Sequence, residues 1–116
     1  MTYITKDSGK RATYKSGMVR DTTKGKPRFD LLMAKYIPYD ESMLYRWAML
    51  MERGAEKYNE RNWEKADSEE EMNRAKESAY RHFMQWYHEV EDEDHASALF
   101  FNVNEVESIK YKLTKK

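Results

Sequence analysis

The chain has 116 residues, with 21 Lys+Arg balancing 21 Asp+Glu, 40% apolar residues, 14% aromatic residues and no cysteine. That length suits one domain with a modest core, and the aromatic content argues against general disorder. The composition excludes disulfides and thiolate zinc sites. No run approaches the ~20 apolar residues of a membrane span, and MTYITKDSGK lacks the apolar stretch of a secretory signal, so an intracellular protein is expected.

The zero net charge conceals a split. Residues 1–36 carry nine Lys/Arg against three Asp/Glu, whereas residues 85–107 carry seven Asp/Glu and no Lys/Arg. One reading is a self-complementary, solvated surface. The other is a site in which acids hold a metal cation and bases hold the anion that the metal also binds.

Residues 1–25 mix Thr, Ser, Gly, Lys and Arg with little periodicity and read as an extended basic arm, a candidate for mobility. A single helical domain is expected over 26–116. Pro38 bars a helix from crossing it. The spacing predicts a first helix from about Asp40, whose carboxylate can cap it, to Tyr58; Leu44, Trp47, Ala48, Met51, Ala55 and Tyr58 share one face. Gly54 interrupts that helix at a cost of ~1 kcal/mol relative to Ala. Residues 59–67 read as a loop. Ser68 and Glu71 form a capping box for a second helix from about Glu69 to Val90, striped by Met72, Ala75, Ala79, Phe83, Trp86 and Val90. A third helix, from near Asp94 to about Leu113, puts His95, Ala98, Leu99, Asn102, Val106, Ile109 and Leu113 on one face. No convincing strand alternation is visible. The expected fold is all-α, a bundle of about three main helices with an extended basic N-terminal arm. Because Trp47, Trp86, Phe100 and Phe101 are hard to cover inside one small bundle, completion by homo-oligomerisation is expected.

Polar side chains fall in apolar places. Ser78, His82, Gln85 and Glu89 follow i, i+4, i+7, i+11 along one border of the second helix's stripe, and His95 and Asn102 lie within the stripe of the third. Buried polar groups need partners, and convergence of His82, Glu89, His95 and Asn102 between helices would supply them. The run HEVEDEDH, residues 88–95, adds five carboxylates. Glu89 and Asp92 form an i, i+3 pair if the second helix persists that far, and such oxygen ligands suit Mg²⁺ or Mn²⁺. The plain alternative is a solvated connection beside ordinary core histidines. EF-hand spacing, HExxH and the P-loop pattern are absent. In RGAEKYNERNW, residues 53–63, Lys57 and Arg61 suit phosphate oxygens, Asn62 a base edge or ribose, and Trp63 and Tyr58 a stacked base. An ordinary cationic helix terminus explains the same residues equally well.

The stretches SGMVRDTTKGKPRFDLL, RGAEKYNERNW, AYRHFMQW and EDEDHASALFFNVN together resemble a family of mostly phage proteins, the dATP/dGTP diphosphohydrolases, which look like relatives of the all-α, MazG-like nucleoside triphosphate pyrophosphohydrolases. The resemblance runs from about Ser16 to Leu113. It implies hydrolysis of a purine deoxynucleoside triphosphate to the monophosphate and pyrophosphate, with Mg²⁺ or Mn²⁺ as cofactor. It also implies a homo-oligomer in the cytoplasm of an infected host cell, shaping the nucleotide pool. The chain departs from the pattern after the second helix. His88-Glu89 stands where many relatives carry Gly-Glu, and a compressed EVEDEDH replaces a longer linker. Of the MazG-like carboxylate pairs, Glu89 and Asp92 fit the second, while Glu52 and Glu56 are the nearest substitute for the first.

On that reading Glu89, Asp92 and Glu93 are the catalytic carboxylates. His82, Glu89, Asp92 and His95 are the metal-site residues, the histidines either as ligands or as orienting groups. Lys57, Arg61 and Arg81 hold phosphates, Lys26 and Arg28 of the arm close over them, and Asn62, Trp63 and Asn102 lie by the base or sugar. The rival expectation is a non-catalytic phage protein that sequesters nucleotides or binds a host protein. Nucleic acid is not an expected partner, since the acidic half would repel it and the cations follow no helix face. No membrane partner is expected either.

Overall fold

The computed structural model describes residues 3–22 and 24–115, which fall in two units, Met1–Leu32 and Met33–Lys116. Met1, Thr2 and Thr23 of the expected arm lie outside the described residues.

The first unit corrects the expectation of a strandless arm. Strands β1 (Arg11–Thr13) and β2 (Val19–Asp21) pair antiparallel, with Arg11 opposite Asp21 and Thr13 opposite Val19. Gly17, at φ +91°, supplies the left-handed turn residue between them, and its N–H donates to Tyr14 O at 2.9 Å. Three-residue strands that are largely solvated on both faces give no hydrophobic alternation, so period-2 patterning could not reveal them. Polar contacts fix the hairpin instead. Asp21 accepts from Ser8 N at 3.2 Å and from Ser8 Oγ, and lies 3.4 Å from Lys26 Nζ. Arg28 makes a two-pronged pair with Asp30 at 2.9 and 2.7 Å.

The second unit holds α1 (Met43–Tyr58), α2 (Glu69–Tyr87) and α3 (His95–Thr114). The cap of α1 is Ser42, not Asp40. Ser42 Oγ accepts from Tyr45 N at 3.2 Å, while Asp40 lies in the preceding 3₁₀ turn, Tyr39–Glu41. Helix α1 ends at Asn59, at φ +83°, and the chain turns back through Arg61, at φ +56°, into a 3₁₀ helix over Asn62–Lys65. The Ser68/Glu71 box forms as expected at the start of α2. Ser68 Oγ accepts from Glu71 N at 3.2 Å, and Glu71 reaches back to Asp67 N at 3.1 Å.

Helix α2 stops at Tyr87, three residues short of the expected end. Val90 N donates to Gln85 O at 2.9 Å and Glu89 N to Trp86 O at 3.1 Å, with Glu89 at φ +57°. This is a Schellman cap, which takes up the last carbonyls of the helix by placing one residue in the left-handed region. The i, i+3 helical pairing of Glu89 with Asp92 therefore does not form. Asp94 caps α3, accepting from Ser97 N at 3.1 Å, and its carboxylate also grips Arg46 of α1 at 2.8 and 2.6 Å.

The core is small. Ala66, Ala75, Ala98, Val106 and Ile109 are buried, and no residue of α1 is fully so. The face of α3 is buried as its pattern predicts. The face of α2 differs, because Phe83, Trp86 and Val90 of the expected stripe stay 39%, 49% and 42% exposed while His82 of the polar seam is buried. Polar partners on α3 explain this. Ser78 and His82 find Asn102 and His95 across the α2–α3 contact, so desolvating that seam leaves those groups paired.

Candidate active site

A cavity of about 480 Å³ opens within the second unit, a size that suits a small organic ligand. One wall is the C-terminal half of α1 with the turn after it: Arg53, Gly54, Lys57, Tyr58 and Asn59, then Arg61, Asn62 and Trp63. The opposite wall is His82 of α2, Glu93, and Ala98, Phe101, Asn102 and Glu105 of α3. Three cations thus confront two acids and a buried imidazole across one space. The left-handed residues Asn59 and Arg61 make this possible, because they fold Asn62 and Trp63 back toward α3, where the Trp63 ring meets Phe101 edge-on at 6.1 Å. Arg61 is steadied by Glu64.

Beside the cavity a chain of polar side chains crosses from the α2–α3 connection into α2. Asp92 Oδ1 lies 2.6 Å from His95 Nε2, and His95 Nδ1 lies 2.8 Å from His82 Nδ1. His95 is 2% exposed and His82 8%. The bond from His95 holds the Asp92 carboxyl below the usual carboxylate range, and burial, followed by the neighbouring Arg81 and His95, lowers the pKa of His82. Donor atoms of Asp92, Glu93 and His95 lie within 4.8 Å of one another, a group able to hold a metal ion. The seam ends in the Asn102 Nδ2 to Ser78 Oγ bond at 3.1 Å.

A family model described as dATP/dGTP diphosphohydrolase, N-terminal, matches residues 16–106. The chain belongs to that family. No curated protein and no solved structure matches it. The family's name is that of a hydrolase acting on purine deoxynucleotides, and within this diphosphohydrolase-family chain the matched residues include the whole cavity lining.

Of the residues singled out from the sequence, Lys57, Arg61, Asn62, Trp63, His82, Glu93 and Asn102 line the cavity, and Asp92 and His95 join it through His82. Arg81 is outside the lining and exposed, its Nη2 3.4 Å from Ser78 Oγ. Glu89 is exposed, set in the α2 cap and outside the metal-capable group. Lys26 and Arg28 are engaged by Asp21 and Asp30 within the first unit. The Glu52/Glu56 pair does come together on α1, where the hydrogen bond with Glu56 and then its charge push the Glu52 carboxyl up, but neither lines the cavity. Asp94, one of the five carboxylates of the acidic run, is consumed by Arg46.

Sequence reading passed over Arg53 and Glu105 as site residues. Arg53 is one turn before Lys57, so the i, i+4 spacing alone could have included it. Glu105 is one turn beyond Asn102 on the same face of α3, and its half-buried carboxyl is pushed up by burial and then by Glu71.

Proposed function

We propose that the chain hydrolyses dATP and dGTP to the monophosphate and pyrophosphate with Mg²⁺ or Mn²⁺. The supporting observation is that one cavity joins the cationic end of α1 to the acid and histidine group where α2 meets α3, in a member of a family named for this hydrolysis. Phosphoryl transfer asks mainly for positioning and charge neutralisation. Arg53, Lys57 and Arg61 neutralise the phosphates. Trp63 offers a stacking face to the base, and Asn62 and Asn102 offer amides to the base or sugar.

The donor chemistry fits a hard dication: the Glu93 carboxylate of the cavity wall has Asp92 beside it, and the same cavity holds three cations for the phosphates. Asp92 and Glu93 would hold the metal. Asp92 can do so with one oxygen while the other keeps its bond from His95, a common carboxylate–histidine arrangement. When bound, the ion supplies charge neutralisation and a more acidic water. His95 orients Asp92 and His82. Glu89 is left to its capping role. A dimer or tetramer is part of this reading, since α1 buries no residue fully and Phe83, Trp86 and Phe100 remain more than a third exposed. The helical fold and acid-bearing junction are in keeping with the MazG-like kinship suggested by the sequence.

The test is incubation of purified protein with each dNTP and Mg²⁺ or Mn²⁺, followed by resolution of products. Pyrophosphate with dAMP or dGMP is expected. No turnover of any nucleotide with either metal overturns the reading, and tight nucleotide binding without product replaces it with sequestration.

A further inference from the structure

Glu105 of the cavity wall has no role in the hydrolytic scheme. A second hollow, along α2 and α3, shares Ser78, Asn102 and Glu105 with the cavity, so these three side chains border both spaces. Glu105 is half-buried, yet its carboxylate makes no hydrogen bond or ion pair among the described residues, and neither oxygen is sealed off. Asn102 is 5% exposed and gives one end of its amide to Ser78 Oγ at 3.1 Å. The other end has no partner among the described residues and is likewise open. Buried polar groups normally have hydrogen-bond partners. Here a ligand can supply them.

Burial, and after it the negative charge of Glu71, pushes the Glu105 carboxyl up. An anion is therefore repelled at this point, and N–H donors that relieve the carboxylate are favoured. Aromatic packing brings a base within reach. The Trp63 ring meets Phe101 edge-on at 6.1 Å, and Phe101 stands beside Asn102 and one helical turn before Glu105. Resting on the reading of the cavity as a purine deoxynucleotide site, we propose that Glu105 reads the Watson–Crick edge of the base and selects guanine. Its two carboxylate oxygens accept from guanine N1–H and the N2 amine, with Asn102 holding the same edge. Guanine presents two adjacent donors to that fork of acceptors. Adenine presents one, the N6 amine, beside N1, whose lone pair faces the carboxylate.

The experiment is calorimetric titration of the full chain with dGTP, dITP and dATP at neutral pH without divalent metal, so that binding is read without turnover. The base of dITP is guanine without its N2 amine. A two-pronged base contact discriminates by about tenfold, so dGTP is expected to bind about tenfold tighter than dITP and than dATP. Glu105→Gln replaces one acceptor by a donor, the complement of adenine N1 and N6. It is expected to favour dATP over dGTP, with helicity by circular dichroism retained. A merely structural Glu105 would move all three affinities together. Equal affinity for dGTP and dITP in the unaltered protein overturns the proposal, as does an unchanged ratio of dGTP to dATP affinity in folded Glu105→Gln. If that variant does not fold, the comparison of dGTP with dITP decides alone. No binding of any of the three overturns this proposal and the nucleotide reading together. Hydrolysis of dNTPs without a base preference removes the role of Glu105 alone, whereas a guanine preference without hydrolysis removes the hydrolytic reading and leaves Glu105 in place.

Discussion

Glu89→Gly asks whether Glu89 serves the chemistry or the fold. Glu89 occupies the left-handed position of the α2 cap at φ +57°, one residue before Val90 N reaches Gln85 O. A non-glycine residue pays ~1–2 kcal/mol for that conformation. Glycine avoids it, but gives back ~0.5–1 kcal/mol through its freer unfolded chain. The net expectation is a gain of ~0.5–1 kcal/mol, or roughly 2–5 °C in melting temperature for a chain of this size. Urea unfolding followed by circular dichroism measures the first quantity and a thermal scan the second. A fall in stability refutes the cap argument. A gain accompanied by complete loss of divalent-cation binding would return Glu89 to the metal site.

Two further outcomes follow from the charge pattern. Asp94→Asn should remove the Arg46 pair that ties α1 to the start of α3 while leaving a capping side chain at residue 94. Arg46, followed by the bond from Ser97 N, holds the Asp94 carboxyl at about 2 against an ordinary 3.8. A depressed acid stabilises the fold above its unfolded value, so this contribution is present above pH ~4 and is lost as pH falls toward 2. At ~1.4 kcal/mol per pH unit the pair would be worth roughly 2 kcal/mol, reduced to ~1 kcal/mol by solvent, since the two side chains are 26% and 41% exposed. Urea midpoints of the two proteins should differ at pH 7 and converge near pH 2; a constant difference across that range counts against the pair. Glu105→Gln should act in the opposite sense. Burial raises that carboxyl, so the ionised form costs stability, and the cost grows as pH rises from near 4.5 through the raised native value. The variant should match the parent at pH 3 and exceed it at pH 7, and a lower midpoint at pH 7 would contradict this.

The sequence alone determined the parts that depend on local periodicity and local hydrogen bonding. The face of α3 repeats every three to four residues, so His95, Asn102 and Ile109 could be placed together, and the Ser68/Glu71 box marked the start of α2 because its partners lie three residues apart. RGAEKYNERNW and the acidic run stood out by residue type. Tertiary structure decided the rest. Only folding could show that the seam of Ser78 and His82, rather than the Phe83 and Trp86 stripe, meets α3, because the choice depends on polar partners 13 and 24 residues away. It also gave Asp94 to Arg46, 48 residues earlier, which the composition of an acidic run cannot reveal. The end of α2 was set by a left-handed cap that carries no glycine signal, and the hairpin by side-chain contacts to Asp21 that leave no alternation. The cavity itself is a long-range product: turns at Asn59 and Arg61 fold Asn62 and Trp63 back so that they share one space with α1's cations and His82 of α2, and pairwise geometry across that distance is not written in either segment.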